Sequence, residues 1–82
     1  MYTIELTQQA EKFLDKQDNH LRERIIRSLE RLQVRPHAHI RRLVNSPYYK
    51  FRVGDYRCIL RVEDDKLLIL VIEIAHRKNI YK

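Results

Sequence analysis

The feature that most constrains this chain is a two-residue turn between two segments of alternating residues. Residues 48–53 and 56–63 read as strands, and they are separated by Gly54 and Asp55. A Gly-X pair suits a type II′ hairpin turn, because glycine readily adopts the positive φ of the first central position. A two-residue loop also sets the register of the two strands. The sequence therefore predicts a β-hairpin whose cross-strand pairs can be written down.

In this register the hairpin has two chemically different faces. The apolar face carries Tyr49, Phe51, Val53, Tyr56, Cys58 and Leu60. The other face carries Lys50, Arg52 and Arg57, with Arg52 directly opposite Arg57. Opposed like charges destabilise a sheet by a few tenths to about 1 kcal/mol, and local rules broken in this way are typical of functional sites. The sequence leaves open the alternative that these side chains only extend into solvent and cover apolar surface with their stems.

Helical periodicity precedes the hairpin. Thr7 is a predicted N-cap for a helix over residues 8–16. A second helix starts near Asn19 and is stopped by Pro36. Its apolar residues recur at spacings of four, four and three, which is typical of a buried helix face; they are Leu21, Ile25, Leu29 and Leu32. The two helices are predicted to form a hairpin with one apolar face.

Strands complete the predicted fold. Residues 2–6 alternate with a period of two, residues 66–74 form a further strand after a turn at Asp64 and Asp65, and at most a short strand lies at 42–44. We predict an α+β fold in a single domain over residues 1–82, with an N-terminal strand, a helical hairpin and then an antiparallel β-sheet.

The second helix also carries a basic stripe, and the whole chain is basic. Lys and Arg number 17 against 11 Asp and Glu, a net charge of +6, which favours a polyanion such as nucleic acid as the partner. The stripe consists of Arg24, Arg27, Arg31 and Arg35. Contact with phosphates and a solvated face flanked by Glu23 and Glu30 remain equal alternatives for it.

The last predicted strand is apolar on both faces, although the helices can cover only one of them. The other face would expose an apolar band, defined here as Ile59, Leu68, Leu70 and Ile72, beside the cations. A protein partner is the natural cover for such a band.

Several classes of protein are not expected. The single cysteine excludes an internal disulfide. We expect a cytoplasmic protein without membrane association, because the sequence has no apolar run near ~20 residues and no signal-peptide pattern. The histidines at 37 and 39 are a weak metal signal, so no metal or cofactor is expected. Cleavage of RNA through its own 2′-hydroxyl stays possible, because cations and one titratable acid suffice for it.

The segment YYKFRVGDYRCILRVEDDKLLILVIEIAHRKNIY resembles the RelE family of toxins in the RelE/ParE superfamily of toxin–antitoxin systems. The resemblance extends over nearly the whole chain, and its specific parts are the RVGDYR hairpin and the HRKNIY ending. It implies a ribosome-dependent mRNA endonuclease (an mRNA interferase) that inhibits translation by cutting messages in the ribosomal A site. It also implies that a small RelB-like antitoxin wraps around the toxin and neutralises it.

The resemblance also implies roles for individual residues. The basic strand residues of the family fall on Lys50 and Arg52, its phosphate-stabilising arginine on Arg57, its second arginine on Arg77 and its base-stacking tyrosine on Tyr81. Well-studied relatives have a second lysine where this chain has Arg52, and a guanidinium cannot serve as a base. Lys50 is therefore the better proton acceptor.

Two of the candidate site residues retain structural alternatives. His76 is an extra candidate for the acid, because imidazole exchanges protons near neutral pH; its alternative is a structural hydrogen bond at a strand end. Tyr81 could instead pack the C-terminal tail. Under the nuclease hypothesis the arginine stripe would contact ribosomal RNA.

Two other functions remain compatible with the predicted fold. One is a ParE-like inhibitor that binds DNA gyrase without nuclease activity, and the other is an inactive remnant that only binds its antitoxin. Fold alone does not separate them. The cation and tyrosine set favours the nuclease.

Overall fold

The structure is a computed structural model that describes residues 1–77. It contains strands β1 (Thr3–Leu6), β2 (Arg41–Arg42), β3 (Tyr49–Val53), β4 (Tyr56–Glu63) and β5 (Leu68–His76), with helices α1 (Gln8–Asp15) and α2 (Asn19–Glu30) between β1 and β2. Short 3-10 turns cover Arg31–Gln33, Pro36–Ala38 and Asp64–Lys66. No helix among the described residues is long and apolar enough to cross a membrane.

Both helices begin at a side-chain cap. The Oγ1 of Thr7 accepts the N–H of Ala10 at 3.2 Å and donates to the carbonyl of Ile72 at 2.7 Å, so one hydroxyl starts α1 and attaches it to β5. The Asp18 carboxylate accepts the N–H of Leu21 at 2.9 Å and starts α2. The Thr7 cap was predicted, and the predicted second helix is present, with its last turns tightened into a 3-10 turn before Pro36.

The five strands form one sheet in the order β1-β5-β4-β3-β2. All neighbours are antiparallel except β1, which pairs with β5 in parallel. The predicted fold class is confirmed, with the addition that the N-terminal strand joins the sheet and makes it mixed. A parallel pair requires a long crossover connection, and α1 and α2 lie within that connection, on one face of the sheet.

The hairpin register is as predicted. Lys50 pairs with Ile59, and Arg52 pairs with Arg57. Gly54 has φ +56°, as the first position of the predicted turn requires.

The bounds of two strands were predicted wrongly. The short strand is Arg41–Arg42 rather than 42–44, because the chain turns away at Asn45, whose φ is +55°. The last strand begins at Leu68 rather than residue 66, because a 3-10 turn and a left-handed Leu67 extend the connection from β4. It ends at His76 rather than residue 74, because Ala75 and His76 still pair with β4.

The core lies between the helices and one face of the sheet. Its buried residues are Ala10, Leu14, Ile25, Leu29, Leu32, Ile40, Val53, Cys58, Leu60, Ile69, Val71 and Ile74. Tyr49, Phe51 and Tyr56 pack against them and are partly exposed. The predicted apolar faces of the hairpin and of α2 therefore meet in the core, and Lys50, Arg52 and Arg57 are left on the opposite face of the sheet.

A polar network at the end of the sheet ties the start of the chain to two turns. The Oη of Tyr2 donates to the Asp64 carboxylate at 2.6 Å, and Nε2 of His37 lies 2.8 Å from the same oxygen. The hydrogen bond from Tyr2, and then the one from His37, lowers the pKa of the Asp64 carboxyl. The bond to Asp64 raises the pKa of the Tyr2 phenol. The network requires an ionised carboxylate and a protonated phenol.

These shifts predict how the network depends on pH. The contribution of Asp64 should be complete above its unfolded pKa of ~3.9 and should be lost as pH falls through its lowered folded pKa. The contribution of Tyr2 should be complete below ~10 and should be lost as pH rises through its raised folded pKa. Urea unfolding of the wild type and Asp64→Asn should differ within this window and converge outside it. The neighbouring Asp65→Asn is the control, and an equal pH profile for both variants would contradict the prediction.

Gly54 should resist substitution because of its backbone conformation. Gly54→Ala should lower the free energy of unfolding by about 1–2 kcal/mol, the cost of a left-handed conformation for an ordinary L-residue. Gly54→Asn should cost less, because asparagine tolerates this conformation. Urea denaturation of the three proteins measures the difference. Equal losses for the two variants would show that backbone conformation is not the cause.

Candidate functional site

The candidate site is built on a row of cations across three strands. Arg41 of β2 pairs with Lys50 of β3, and Arg52 of β3 pairs with Arg57 of β4. Paired residues share a face, so all four side chains leave the sheet on the side away from the helices. Lys50 and Arg57 are half-buried, whereas Arg41 and Arg52 are exposed. The Nε–H of Arg52 donates to the carbonyl of Gly54 at 3.2 Å, which holds this guanidinium beside the turn.

A cleft of about 400 Å³ surrounds these cations. It is lined by His39, Arg41, Lys50, Phe51, Arg52, Asp55, Tyr56, Arg57 and Arg77. Arg77 is brought there by a backbone contact, since its N–H donates to the carbonyl of Asp55 at 2.7 Å. Five cations and one carboxylate therefore share the cleft within the described residues. Such a concentration of charge suits the binding of phosphate.

The structure brings together four of the six residues predicted to be catalytic. Lys50, Arg52, Arg57 and Arg77 all line the cleft. Their functional roles remain predictions. Tyr81 lies outside the described residues.

His76 does not line this cleft. It pairs with Tyr56 and therefore faces the helices, and the two rings meet edge to face with 5.0 Å between their centroids. Tyr56 in turn contacts the ring of Phe13 at 5.9 Å. The structure thus separates His76 from the cations by the plane of the sheet, and its role as the acid remains a prediction.

Sequence reasoning missed two residues that line the cleft. Arg41 was overlooked because the short strand was placed one residue too late, so its pairing with Lys50 could not be seen. His39 was interpreted as a surface histidine, and it is exposed, but the chain before β2 carries it to the edge of the cleft. Neither position had a local signal strong enough to reveal it.

A second groove lies between α2 and the hairpin. Its volume is about 770 Å³, and its lining includes Arg24, Arg27 and Arg31 but not Arg35. A guanidinium nitrogen of Arg24 lies only 2.7 Å from the position that a Cβ on Gly54 would occupy, so this side chain reaches the hairpin turn. Arg27 forms an exposed ion pair with Glu23 at 3.9 Å, a distance and exposure at which pairing contributes little. Three of the four arginines of the predicted stripe thus border one groove.

The predicted apolar band is only partly exposed and has charged neighbours. Ile59, Leu68, Leu70 and Ile72 are all half-buried. In the register of β4 and β5, Ile59 faces Glu73, Leu70 faces Arg61 and Leu68 faces Glu63. Arg61 and Glu63 form an ion pair at 3.2 Å. The face opposite the helices therefore divides into a cationic part on β2–β4 and a mixed apolar and charged part on β4–β5.

The described residues offer neither a metal site nor a reactive thiol. Residues 1–77 contain no group of three His, Cys, Asp or Glu side chains that could hold a metal ion. The Cys58 thiol is buried, and burial raises its pKa to about 12. A thiolate is the reactive form of cysteine, so Cys58 is a core residue and not a nucleophile.

Comparison with known proteins agrees with this architecture. The family model described as ParE toxin of type II toxin-antitoxin system, parDE, matches residues 4–81. No curated protein sequence is significantly similar. Among solved structures, a chain of the Escherichia coli RelBE toxin-antitoxin complex is 25% identical with a TM-score of 0.78, and the match covers 93% of this chain and 96% of that one.

Archaeal and mycobacterial structures are also similar. A chain of the RelB-RelE antitoxin-toxin complex from Methanococcus jannaschii is 27% identical with a TM-score of 0.72, and the match covers 95% of each chain. The RelBE2 toxin-antitoxin complex from Mycobacterium tuberculosis contains a chain with a TM-score of 0.81 at 22% identity, covering 93% of this chain and 91% of that one. At that identity the likeness concerns the fold. Because the family model spans nearly the whole sequence, the chain belongs to the ParE toxin family of type II toxin–antitoxin systems, within the RelE/ParE superfamily.

Proposed function

We propose that this toxin is a ribosome-dependent mRNA endonuclease that acts in the cytoplasm and inhibits translation. The observation that carries the proposal is the cleft in which Arg41, Lys50, Arg52, Arg57 and Arg77 converge. Structural similarity to RelE toxins of RelBE complexes supports it independently of the charges. The direct pairing of Arg52 with Arg57 destabilises the sheet, because the two positive charges repel each other. A bound scissile phosphate would place a negative charge between them and offset this repulsion.

The proposed reaction uses the 2′-hydroxyl of the RNA as the nucleophile. Lys50, in its neutral form, accepts the hydroxyl proton, because a guanidinium cannot accept one. The 2′-oxygen forms a bond to the adjacent phosphorus while the bond to the 5′-oxygen breaks, which yields a 2′,3′-cyclic phosphate and a 5′-hydroxyl end. Arg57 and Arg52 stabilise the additional negative charge of the pentacoordinate phosphate. Arg77, which follows β5, contributes a further positive charge near this phosphate.

The departing 5′-oxygen needs a proton, and we assign its donation to His39. Its imidazole belongs to a residue that lines the cleft, and imidazole is suited to this task near neutral pH. His76, the histidine predicted from sequence, lies on the other face of the sheet. Tyr81 is proposed to stack on a base next to the cut, a contact that adds ~1–3 kcal/mol.

Partners complete the proposal. The arginine stripe Arg24, Arg27, Arg31 and Arg35 would bind RNA backbone during the action of the toxin on the ribosome. A RelB-like antitoxin would cover the apolar band Ile59, Leu68, Leu70 and Ile72, since the similar chains come from complexes of RelB with RelE. An amphipathic helix or an added strand could supply the apolar side chains for this contact.

The description of the matching family supports a second candidate function. ParE-like toxins that bind DNA gyrase share the fold, and the family model carries the ParE description. This function needs no cleavage site. The cluster of cations in the cleft favours the nuclease, and an activity assay separates the two functions directly.

Removing Arg57 should abolish most of the cleavage. Arg57→Ala is expected to lower the rate of mRNA cleavage on programmed ribosomes by about 10²–10³-fold, the usual loss when one stabilising donor of a transition state is deleted. The measurement compares wild type and variant on the same message, with and without ribosomes. The variant should still bind the antitoxin.

Arg61→Ala is the matched control for Arg57→Ala. Arg61 lies on the same strand and the same face, but it does not line the cleft and is paired with Glu63. Equal cleavage by Arg57→Ala and Arg61→Ala would remove the proposed site. Absence of cleavage by the wild type, together with inhibition of gyrase, would establish the second function instead.

The two histidines can be separated by one pair of variants. His39→Gln should lower the cleavage rate by about 10²–10⁴-fold, the usual contribution of a positioned acid or base, while His76→Gln should keep a rate near that of the wild type. Single-turnover cleavage on ribosomes across a range of pH measures both. If His76→Gln loses activity and His39→Gln does not, the proton donor is His76 and the assignment to His39 is wrong.

A further inference from the structure

The cleft and the second groove adjoin each other. His39, Phe51 and Arg52 line both of them, and all three lie at or beside the outer edge of β3. The cleft opens on the sheet face away from the helices, whereas the second groove lies between α2 and the hairpin. The shared residues therefore join two surfaces that the sheet would otherwise separate.

The two surfaces adjoin because β2 is short. Within the described residues, β2 pairs only with Tyr49 and Lys50, although β3 extends to Val53. The outer edge of β3 beyond Lys50 thus has no strand beside it. A longer β2 would close this edge and separate the two surfaces.

The cleft and the second groove are both strongly cationic. Among residues 1–77, eight different cations line them, against two acids, Glu23 and Asp55. These cations are Arg24, Arg27, Arg31, Arg41, Lys50, Arg52, Arg57 and Arg77. A succession of cations with few acids matches a chain of phosphodiesters better than it matches one isolated anion.

The shape of the groove distinguishes single strands from duplexes. A strand that occupies both parts has to turn around the edge of the sheet within the width of a domain whose longest dimension is 34 Å. DNA duplexes remain stiff over ~150 bp, and sharp bending costs several kcal/mol. A flexible single strand makes the same turn without breaking a stack of base pairs.

We infer that the substrate strand continues from the cleft around the edge of β3 into the second groove, where Arg24, Arg27 and Arg31 hold its phosphates. The inference rests on the proposed nuclease function and narrows it, because it assigns these three arginines to the message and not to ribosomal RNA. Arg35, which lines neither part, has no role in this path. The linked contacts act as one extended site, so long strands gain affinity over short ones.

Binding of single-stranded RNA to the free protein tests this path apart from catalysis. The probes are fluorescent, unstructured RNA strands of about 4 and about 16 nucleotides, a range that covers common single-strand site sizes. The wild type should bind the longer strand much more tightly. The double variant Arg27→Gln/Arg31→Gln should lose most of this gain, and the slope of log K against log salt should fall by ~0.7 for each phosphate that the variant no longer neutralises.

Arg22→Gln is the control, because Arg22 lies on α2 with Arg27, lines neither the cleft nor the second groove, and hydrogen-bonds to Asn19. The Arg22→Gln variant should keep the higher affinity for the longer strand and the salt slope of the wild type. Circular dichroism and urea unfolding establish that the variants are folded, and glutamine preserves helix propensity at Arg22 and Arg27. If the double variant and Arg22→Gln behave alike, the inference is overturned.

Two other outcomes separate the inference from the proposed function. Binding that depends on Arg27 and Arg31, without mRNA cleavage on ribosomes, would support the groove and remove the nuclease. Alternatively, the double variant could lose affinity for ribosomes but keep the full preference for long single strands over short ones. That result would show that these arginines contact ribosomal RNA. The inference would then be wrong, and the proposed nuclease function would be unaffected.

Discussion

The pairing imposed by the turn at Gly54 and Asp55 is the constraint on which the functional surface depends. A two-residue turn leaves no freedom in register, so it decides at once which residues of β3 and β4 enter the core and which form the outer face. Shifting the register by one residue would bury cations and expose the aromatic and aliphatic side chains. The apolar face of the hairpin packs under the helices, and this packing holds Arg52 and Arg57 opposite each other despite their repulsion.

The remainder of the fold brings further groups to this hairpin. The backbone bond from Arg77 to Asp55 attaches the end of β5 to the turn, and Arg24 reaches the same turn from α2. Near the middle of β5, Thr7 fastens the start of α1 to the carbonyl of Ile72. The end of β5, α2 and α1 are distant in sequence, and each is held in place by a short contact. These contacts position the residues around the cleft.

The edge of the sheet at β2 is short and charged. Exposed strand edges usually invite unwanted pairing, and short edge strands or charged side chains reduce that risk. Here β2 is only two residues long and consists of two arginines. The same short strand leaves the outer edge of β3 beyond Lys50 without a neighbouring strand. In the RNA path that we infer, protection against aggregation and access for the strand have this one structural cause.

Much of this structure could be predicted from the sequence, because periodicity and turn chemistry act locally. The alternation around Gly54 determined the hairpin, its register and its two faces, and the spacing of Leu21, Ile25, Leu29 and Leu32 determined the buried side of α2. The face carrying Lys50, Arg52 and Arg57 followed from the same alternation.

Tertiary structure decided the rest, since it depends on contacts between distant segments. The parallel pairing of β1 with β5, the position of Arg41 beside Lys50 and the placement of His39 at the cleft all require the folded sheet. The orientation of His76 likewise follows from its pairing with Tyr56. The sequence of a two-residue strand or of a strand end does not determine its pairing partner, because too few local residues constrain it. The packing of the whole sheet determines these partners.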